Sequence, residues 1–208
     1  MREGHISKSV IRRLPRYYRC LRDLQKDGTT RVSSDVLARS LGFTASQVRQ
    51  DFSNFGEFGQ QGYGYNVPRL LSEIASIIGV DRKHRAVIIG VGNLGRALLN
   101  NFKFKNYGFE LVAAFDTNKS LIGTRVGDVD ILDVEDMEKS YGKTPFEVAI
   151  LCVPKAYVKD VAKRVAGLGV RGIWNFTNID LDLDGFDVVV ENVHFADSLM
   201  RLCYGISE

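Results

Sequence analysis

Cysteine is scarce in this 208-residue chain: Cys20, Cys152 and Cys203 stand far apart, in no CxxC pair. That excludes a disulfide framework and predicts three buried, reduced thiols. Histidine is equally sparse, and His5, His84 and His194 are too scattered to form a zinc site with the cysteines. No apolar run approaches the roughly 20 residues of a membrane span. The opening "MREGHISKSVIRRLPRYY" lacks the apolar core of a signal peptide, so a cytoplasmic location is expected. What remains is an ordinary globular composition, 45% hydrophobic and 25% charged, with room for one large domain or two small ones.

Charge divides the chain. Residues 1–85 hold 15 Lys+Arg and 8 Asp+Glu, net +7, whereas residues 86–208 hold 13 and 17, net −4. A basic module joined to an acidic one points to a polyanion as partner of the first.

Helical spacing fills the basic half. Pro15 suits a first helical turn, and Tyr17, Cys20, Leu21 and Leu24 then share a face until Gly28. In "VSSDVLARSLG", Ser34 is placed to cap a second helix whose inner face is Val36, Leu37 and Leu41. A capping box in "TASQ" starts a third helix at Thr44, with Gln47 reaching back. Val48 and Phe52 point inward there, leaving Ser46, Gln47, Arg49 and Gln50 outward. Two short helices joined at Gly42 fit a helix-turn-helix, whose second helix offers its first residues to base edges. Arginine suits guanine, glutamine suits adenine, and serine suits phosphate or base. The glycines and aromatics of "GEFGQQGYGYNV" predict a β-hairpin wing with Gln60 and Gln61 at its tip. A further helix follows from Pro68, with Leu70, Leu71, Ile74, Ile77 and Ile78 apolar, and the domain should end near Lys83.

In the acidic half, Val87–Ile89 form an apolar strand leading into Gly90, Val91, Gly92, Asn93, Leu94 and Gly95, a GxGxxG turn. The first glycine permits the turn, the second lets a pyrophosphate approach, and the third lets helix and strand pack closely. The helix opening at Leu94 aims its positive end at the phosphates. Asp116 ends the next strand, 21 residues after Gly95, where an acid binds the ribose 2′-hydroxyl and repels a 2′-phosphate. NAD is therefore expected over NADP, with Lys119 weakening the preference slightly. Strands at "VDIL", "FEVAILCVP", "GIWNF" and "FDVVV", with a helix over "KAYVKDVAKRVAGLG", complete a doubly wound α/β sheet. Val153 and Pro154, and Asn175 and Phe176, fall at strand ends on the expected nicotinamide side. In the last segment Phe195, Leu199, Leu202 and Ile206 form one helical face, and Ala196, Met200 and Cys203 an adjoining one. A helix so widely apolar should be covered by a second body.

The stretches "VSSDVLARSLG", "TASQVRQDFSNFGEFGQQGYGYNV", "GVGNLGRALLN" and "VENVHF" together resemble the Rex family of bacterial redox-sensing transcriptional repressors, over nearly the whole chain. The resemblance implies a winged-helix DNA-binding domain (1–83), a Rossmann domain (84–190) and a C-terminal helix (191–208) swapped into a partner subunit. It implies a homodimer on a near-palindromic double-stranded operator, with NADH releasing the DNA and NAD+ competing. Arg49 and Gln50 would meet bases. Gly90, Gly92, Gly95 and Asp116 would hold adenosine and pyrophosphate, the partner's Phe195 would lie near nicotinamide, and Arg19 would take part in the switch. The chain departs from the family pattern at Gln50, at Gln60 and Gln61, where cations are usual, and at Asn101 and His194, where the partners of the switch arginine stand.

A small NAD-dependent oxidoreductase is the alternative. Against it, no residues remain for a substrate domain, and His194 is the single candidate for hydride chemistry. The expectation is a regulator, not an enzyme.

Overall fold

The computed structural model describes residues 7–55, 59–60 (backbone only) and 63–207. Contacts divide the chain into two compact units, Met1–Arg82 and Lys83–Glu208.

The first unit opens with α1, Lys8–Lys26, which carries Pro15 in its interior. The predicted start at Pro15 is thus too late, because Ser7 caps the helix one turn before Ile11. An interior proline costs a helix about 3 kcal/mol. Val10, Leu14, Tyr17 and Leu21 form a buried stripe on both sides of it, and side chains of this size gain about 1.5–3 kcal/mol each on full burial. Burial outweighs the break. Strand β1 (Arg31–Val32) leads to α2, Ser34–Leu41. Ser33, not Ser34, caps α2, accepting from the Val36 amide at 3.2 Å. Val36 is exposed, and Leu37 with Ala38 forms the inner face. After Gly42, in the left-handed region, comes α3, Ala45–Ser53. Strands β2 (Gly59–Gln60) and β3 (Gly64–Asn66) pair antiparallel, with β1 on the other side of β3. Gln60 is therefore a strand residue opposite Gly64, and the predicted tip residue Gln61 lies outside the described residues. Helix α4, Val67–Ile78, begins with Asn66 as cap and Pro68 in its first turn, and ends at Gly79. Leu14, Tyr17, Leu21, Leu37, Val48, Phe52, Leu70 and Ile74 belong to one core.

The second unit is a parallel sheet with both faces covered. Its elements are β4 (His84–Ile89), α5 (Asn93–Asn101), β5 (Phe109–Asp116), β6 (Arg125–Val126), β7 (Val129–Asp133), α6 (Met137–Lys143), β8 (Val148–Leu151), α7 (Val158–Gly167), β9 (Gly172–Asn175), β10 (Val189–Asn192) and α8 (Phe195–Gly205). The strand order is β10-β9-β8-β4-β5-β7-β6, parallel except for β6 against β7. Omitting the antiparallel edge, this is the doubly wound order, reversing direction between β4 and β8. Alternation along β4 sends Val87 and Ile89 to a core with Met137, Val158, Ala162 and Val165, and Ala86 and Ile88 to the opposite core with Phe104 and Phe176. Burial on both faces explains the continuous apolar runs read as strands.

Two elements had no clear sequence signal. Helix α6 has seven residues and buries Met137 alone, and β6 has two residues. Along α8 no residue is buried: Phe195 and Met200 are 55% and 61% exposed, and Ile206, just past its end, is 76% exposed. Among the described residues, no helix is long and apolar enough to cross a membrane.

Candidate functional site

The glycine turn, the 152–154 segment and the 175–178 segment meet at one sheet edge. Ile89, Leu151 and Asn175 stand in register across β4, β8 and β9. The ladder continues past them, with Gly90 N–H to Phe115 O (2.8 Å), Cys152 N–H to Ile89 O (2.8 Å) and Phe176 N–H to Leu151 O (3.0 Å). Gly90, at φ +92°, has room for no side chain: a Cβ there would lie 2.7 Å from the Cys152 carbonyl oxygen. Gly92 is different, for a Cβ would meet nothing within 4 Å. It stands at the N-cap of α5, and no side chain caps that helix. The first amides, at Asn93 and Leu94, are left for an acceptor outside the helix, and the helix dipole favours an anion there.

Asp116 does more than the sequence suggested. Its Oδ2 accepts from the Val91 amide at 2.6 Å and its Oδ1 from the Asn118 amide at 2.8 Å. A carboxylate retains further acceptor positions, so these bonds leave it able to meet a hydroxyl. They also pin the glycine loop to the end of β5. Lys119 turns to Asp133, with Nζ 2.6 Å from Oδ2. That hydrogen bond raises the lysine above its ordinary value and holds the Asp133 carboxyl below its own.

Asn175 is 1% exposed and committed to its own chain. Its amide donates to Ile179 O (2.6 Å) and Asn192 Oδ1 (2.8 Å), and its Oδ1 accepts from the Thr177 amide and hydroxyl. These four bonds use both amide hydrogens and both lone pairs of the side chain, which thereby shapes the 175–178 turn.

Phe176 lies within a chain of rings: Phe102–Trp174 centroids are 5.6 Å apart, Trp174–Phe176 4.6 Å, and Phe176–Phe195 6.0 Å. Phe195 thus stands beside Phe176 of its own chain. Val153 is half-buried and Pro154 exposed at the same edge. His194 precedes α8 with Nε2 3.2 Å from Asp180 Oδ1, and Asn101 ends α5 with its amide on Ala97 O at 3.1 Å. Arg19 is exposed on α1, in the other unit.

The cysteines only partly follow expectation. Cys20 and Cys152 are half-buried, and Cys203 is exposed on α8. Burial pushes the Cys152 thiol up to about 12 from an ordinary 9.0. Thiolate is the reactive species, so at pH 8 Cys152 should alkylate at least about a hundredfold more slowly in native protein than in denaturant. Peptide mass spectrometry after timed iodoacetamide quenching checks this; equal rates would show the thiol is not suppressed.

On the first unit, α3 presents a polar face. Thr44 Oγ1 accepts from the Gln47 amide at 3.1 Å, forming half of the predicted capping box; among the described residues no bond returns from Gln47. Ser46, Arg49 and Gln50 are exposed and Gln47 half-exposed, while Val48, Asp51 and Phe52 are buried. Arg49 is steadied by Ser34 of α2, NH1 to Oγ at 2.9 Å.

Asp51 was missed in the sequence. It is 2% exposed and accepts from Arg13 Nε and NH2, both at 2.7 Å, and from the Tyr17 hydroxyl at 2.8 Å. The signal was present in its spacing, three after Val48 and beside Phe52, which turns it toward the core. Burial foremost, then the bond to Asp51, raises the Tyr17 phenol well above its ordinary range. The hydrogen bond to Asp51 likewise raises Arg13. Both remain donors at any working pH, fixing α3 to α1.

A helix-turn-helix with a wing, followed by a Rossmann-type sheet with an open glycine turn, defines a class: a two-domain protein with the parts to join DNA binding to a nucleotide ligand. A family model described as "Putative DNA-binding protein N-terminus" matches residues 5–53, and one described as "CoA binding domain" matches residues 57–179. "Redox-sensing transcriptional repressor Rex" of Caldanaerobacter subterraneus subsp. tengcongensis is 46% identical over 203 residues, 98% of this chain and 90% of that protein. The structure of RSP with β-NAD+ and operator DNA superposes with a TM-score of 0.91 at 45% identity, covering 98% of this chain and 94% of that one. RSP with β-NADH gives 0.89 at 42% identity, covering 98% and 95%. The chain belongs to the Rex family.

Proposed function

We propose that this protein is a cytoplasmic transcriptional repressor that binds operator DNA as a homodimer and lets go when NADH occupies the 90–95 turn. The observation that carries it is the pairing, in one chain, of a polar recognition face on α3 with a glycine turn whose helix amides have no internal cap. RSP, a relative at 42–45% identity, has been solved with β-NAD+ and operator DNA and with β-NADH. The matched relatives are named repressors, which supports regulation over hydride transfer.

Thr44, Ser46, Gln47, Arg49, Gln50 and the wing glutamines Gln60 and Gln61 would meet DNA. Residues 1–83 bind DNA, 84–190 bind NADH or NAD+, and 191–208 join the subunits. The exposed apolar residues of α8 support its seating in a partner, where Phe195 would approach the nicotinamide beside Val153, Pro154 and Phe176. Arg19, Asn101 and His194 belong to the switch between the two states. Coupling of this kind is typically about 1–3 kcal/mol, a 5- to 150-fold change in affinity.

The test is fluorescence anisotropy on a labelled duplex carrying a near-palindromic site selected on the protein, titrated with NADH, NAD+, NADPH and CoA. NADH should weaken DNA binding within the typical coupling range, and NAD+ should leave it little changed. Arg49→Ala should lose operator affinity while retaining NADH. DNA binding indifferent to saturating NADH would refute the sensor.

A further inference from the structure

We infer that Asp133 is a specificity-determining residue that favours NADH over NADPH by engaging the Lys119 ammonium, the cation a ribose 2′-phosphate would need. The inference rests on the proposed dinucleotide site. Asp116 and Asp133 are Cα partners at the ends of β5 and β7, so two carboxylates stand side by side at the edge where an adenosine ribose would lie. Glu135 and Asp136 follow two and three residues further along the chain. Among residues 116–124, Lys119 is the one cation.

A 2′-phosphate brings negative charge to this edge and needs a cation to offset it. Lys119 is three residues from Asp116, on a loop whose backbone is fixed. Asp116 Oδ1 accepts from the Asn118 amide, and Asn118 Oδ1 accepts from the amide (3.0 Å) and hydroxyl (2.8 Å) of Ser120. The direction of the lysine is then set by its salt bridge to Asp133. Lys119 is 82% exposed at its side chain, whereas Asp133 is 19% exposed and further anchored by the Glu135 amide on its Oδ1 at 3.1 Å. The carboxylate is therefore the fixed member and the lysine the mobile one. Lysine is a flexible point charge, able to turn to a phosphate once its partner is removed.

Asp133→Asn keeps an acceptor for the Glu135 amide and removes the charge. Binding of NADH and NADPH is read by nicotinamide fluorescence on the full-length protein, with a thermal melt to check folding. Wild type should prefer NADH. In Asp133→Asn, NADPH affinity should rise about 5-fold, the scale of one exposed charge pair, with NADH within about 2-fold. Lys119→Ala should not gain NADPH affinity, and Lys119→Ala/Asp133→Asn should lack the gain. Asp133→Ser, which also offers the Glu135 amide an acceptor, supplies the same readout if the asparagine variant does not fold. An unchanged NADPH-to-NADH ratio in a folded Asp133 variant that binds NADH overturns this inference alone. A gain that persists without Lys119 also overturns it, leaving simple charge repulsion. Failure of wild type to bind NADH overturns the dinucleotide site and the inference together.

Discussion

Gly95→Ala should cost at least about 100-fold in NADH affinity. The physical cause is the contact between α5 and the end of β4. A Cβ on Gly95 would lie 2.0 Å from the Gly90 carbonyl oxygen and 3.0 Å from its carbon. Both are backbone atoms, so no rotamer relieves the clash, and the helix must move by more than 1 Å to restore an ordinary contact of about 3.4 Å. That displacement carries the Asn93 and Leu94 amides away from the turn they are proposed to form with Gly90. Displacements of about 1 Å routinely cost two orders of magnitude where geometry matters. Overpacking of this kind also costs about 1–3 kcal/mol of stability, seen as a lower Tm. Gly92→Ala separates the two effects: its Cβ meets nothing in the protein, so the fold should hold while the approach of a pyrophosphate suffers. Nicotinamide fluorescence titration with thermal melts reads both. Parental NADH affinity in Gly95→Ala would show that this close packing is not needed for binding.

Asp51→Ala should destabilise the first unit by about 3–5 kcal/mol, the range for breaking a buried ion pair by removing one partner. The carboxylate receives three hydrogen bonds from Arg13 and Tyr17 at 2.7–2.8 Å and is almost wholly buried. Alanine leaves the guanidinium and the phenol without it, and Arg13 is itself largely sheltered at 20% side-chain exposure. Against a domain stability of about 5–15 kcal/mol this is a large fraction. Because Asp51 lies on α3, operator binding should fall with stability. Urea unfolding followed by circular dichroism measures the loss. A change under 1 kcal/mol would mean that water takes over the bonds. Arg13→Met/Tyr17→Phe/Asp51→Leu removes the whole cluster and should recover most of the stability, since apolar replacement of a buried pair is often neutral.

Some features were legible because they obey strong local rules. The apolar run Val87–Ile89 with three glycines after it needs a strand, a turn and a helix in that order. Thr44 before "ASQ" marks a helix start, and Pro68 a first turn. Where the local rules are degenerate, the expectation slipped. Ser33 and Ser34 are equally good caps by residue type, and the Val36 amide on Ser33 and the Arg49 guanidinium on Ser34 show which does which. Pro15 reads as a helix start until the burial of Val10 and Leu14 is known. Asn175 stands at the strand end where a ligand contact is expected, and what the sequence does not reveal is that its side chain also ties the turn together through Ile179, Thr177 and Asn192.

By itself, the sequence determined the two-part architecture, the helix that starts after Thr44, the glycine turn and the acid at the end of the second strand. Each depends on residues within one element, where periodicity, capping and turn chemistry act over a few positions. Tertiary structure alone decided that Asp51 joins Arg13 and Tyr17 across 38 and 34 positions, that Asp116 also binds the Val91 amide, and that Lys119 belongs to Asp133. Side-chain hydrogen bonds act over about 3 Å, and which groups come that close is set by how the elements pack, not by their order in the chain.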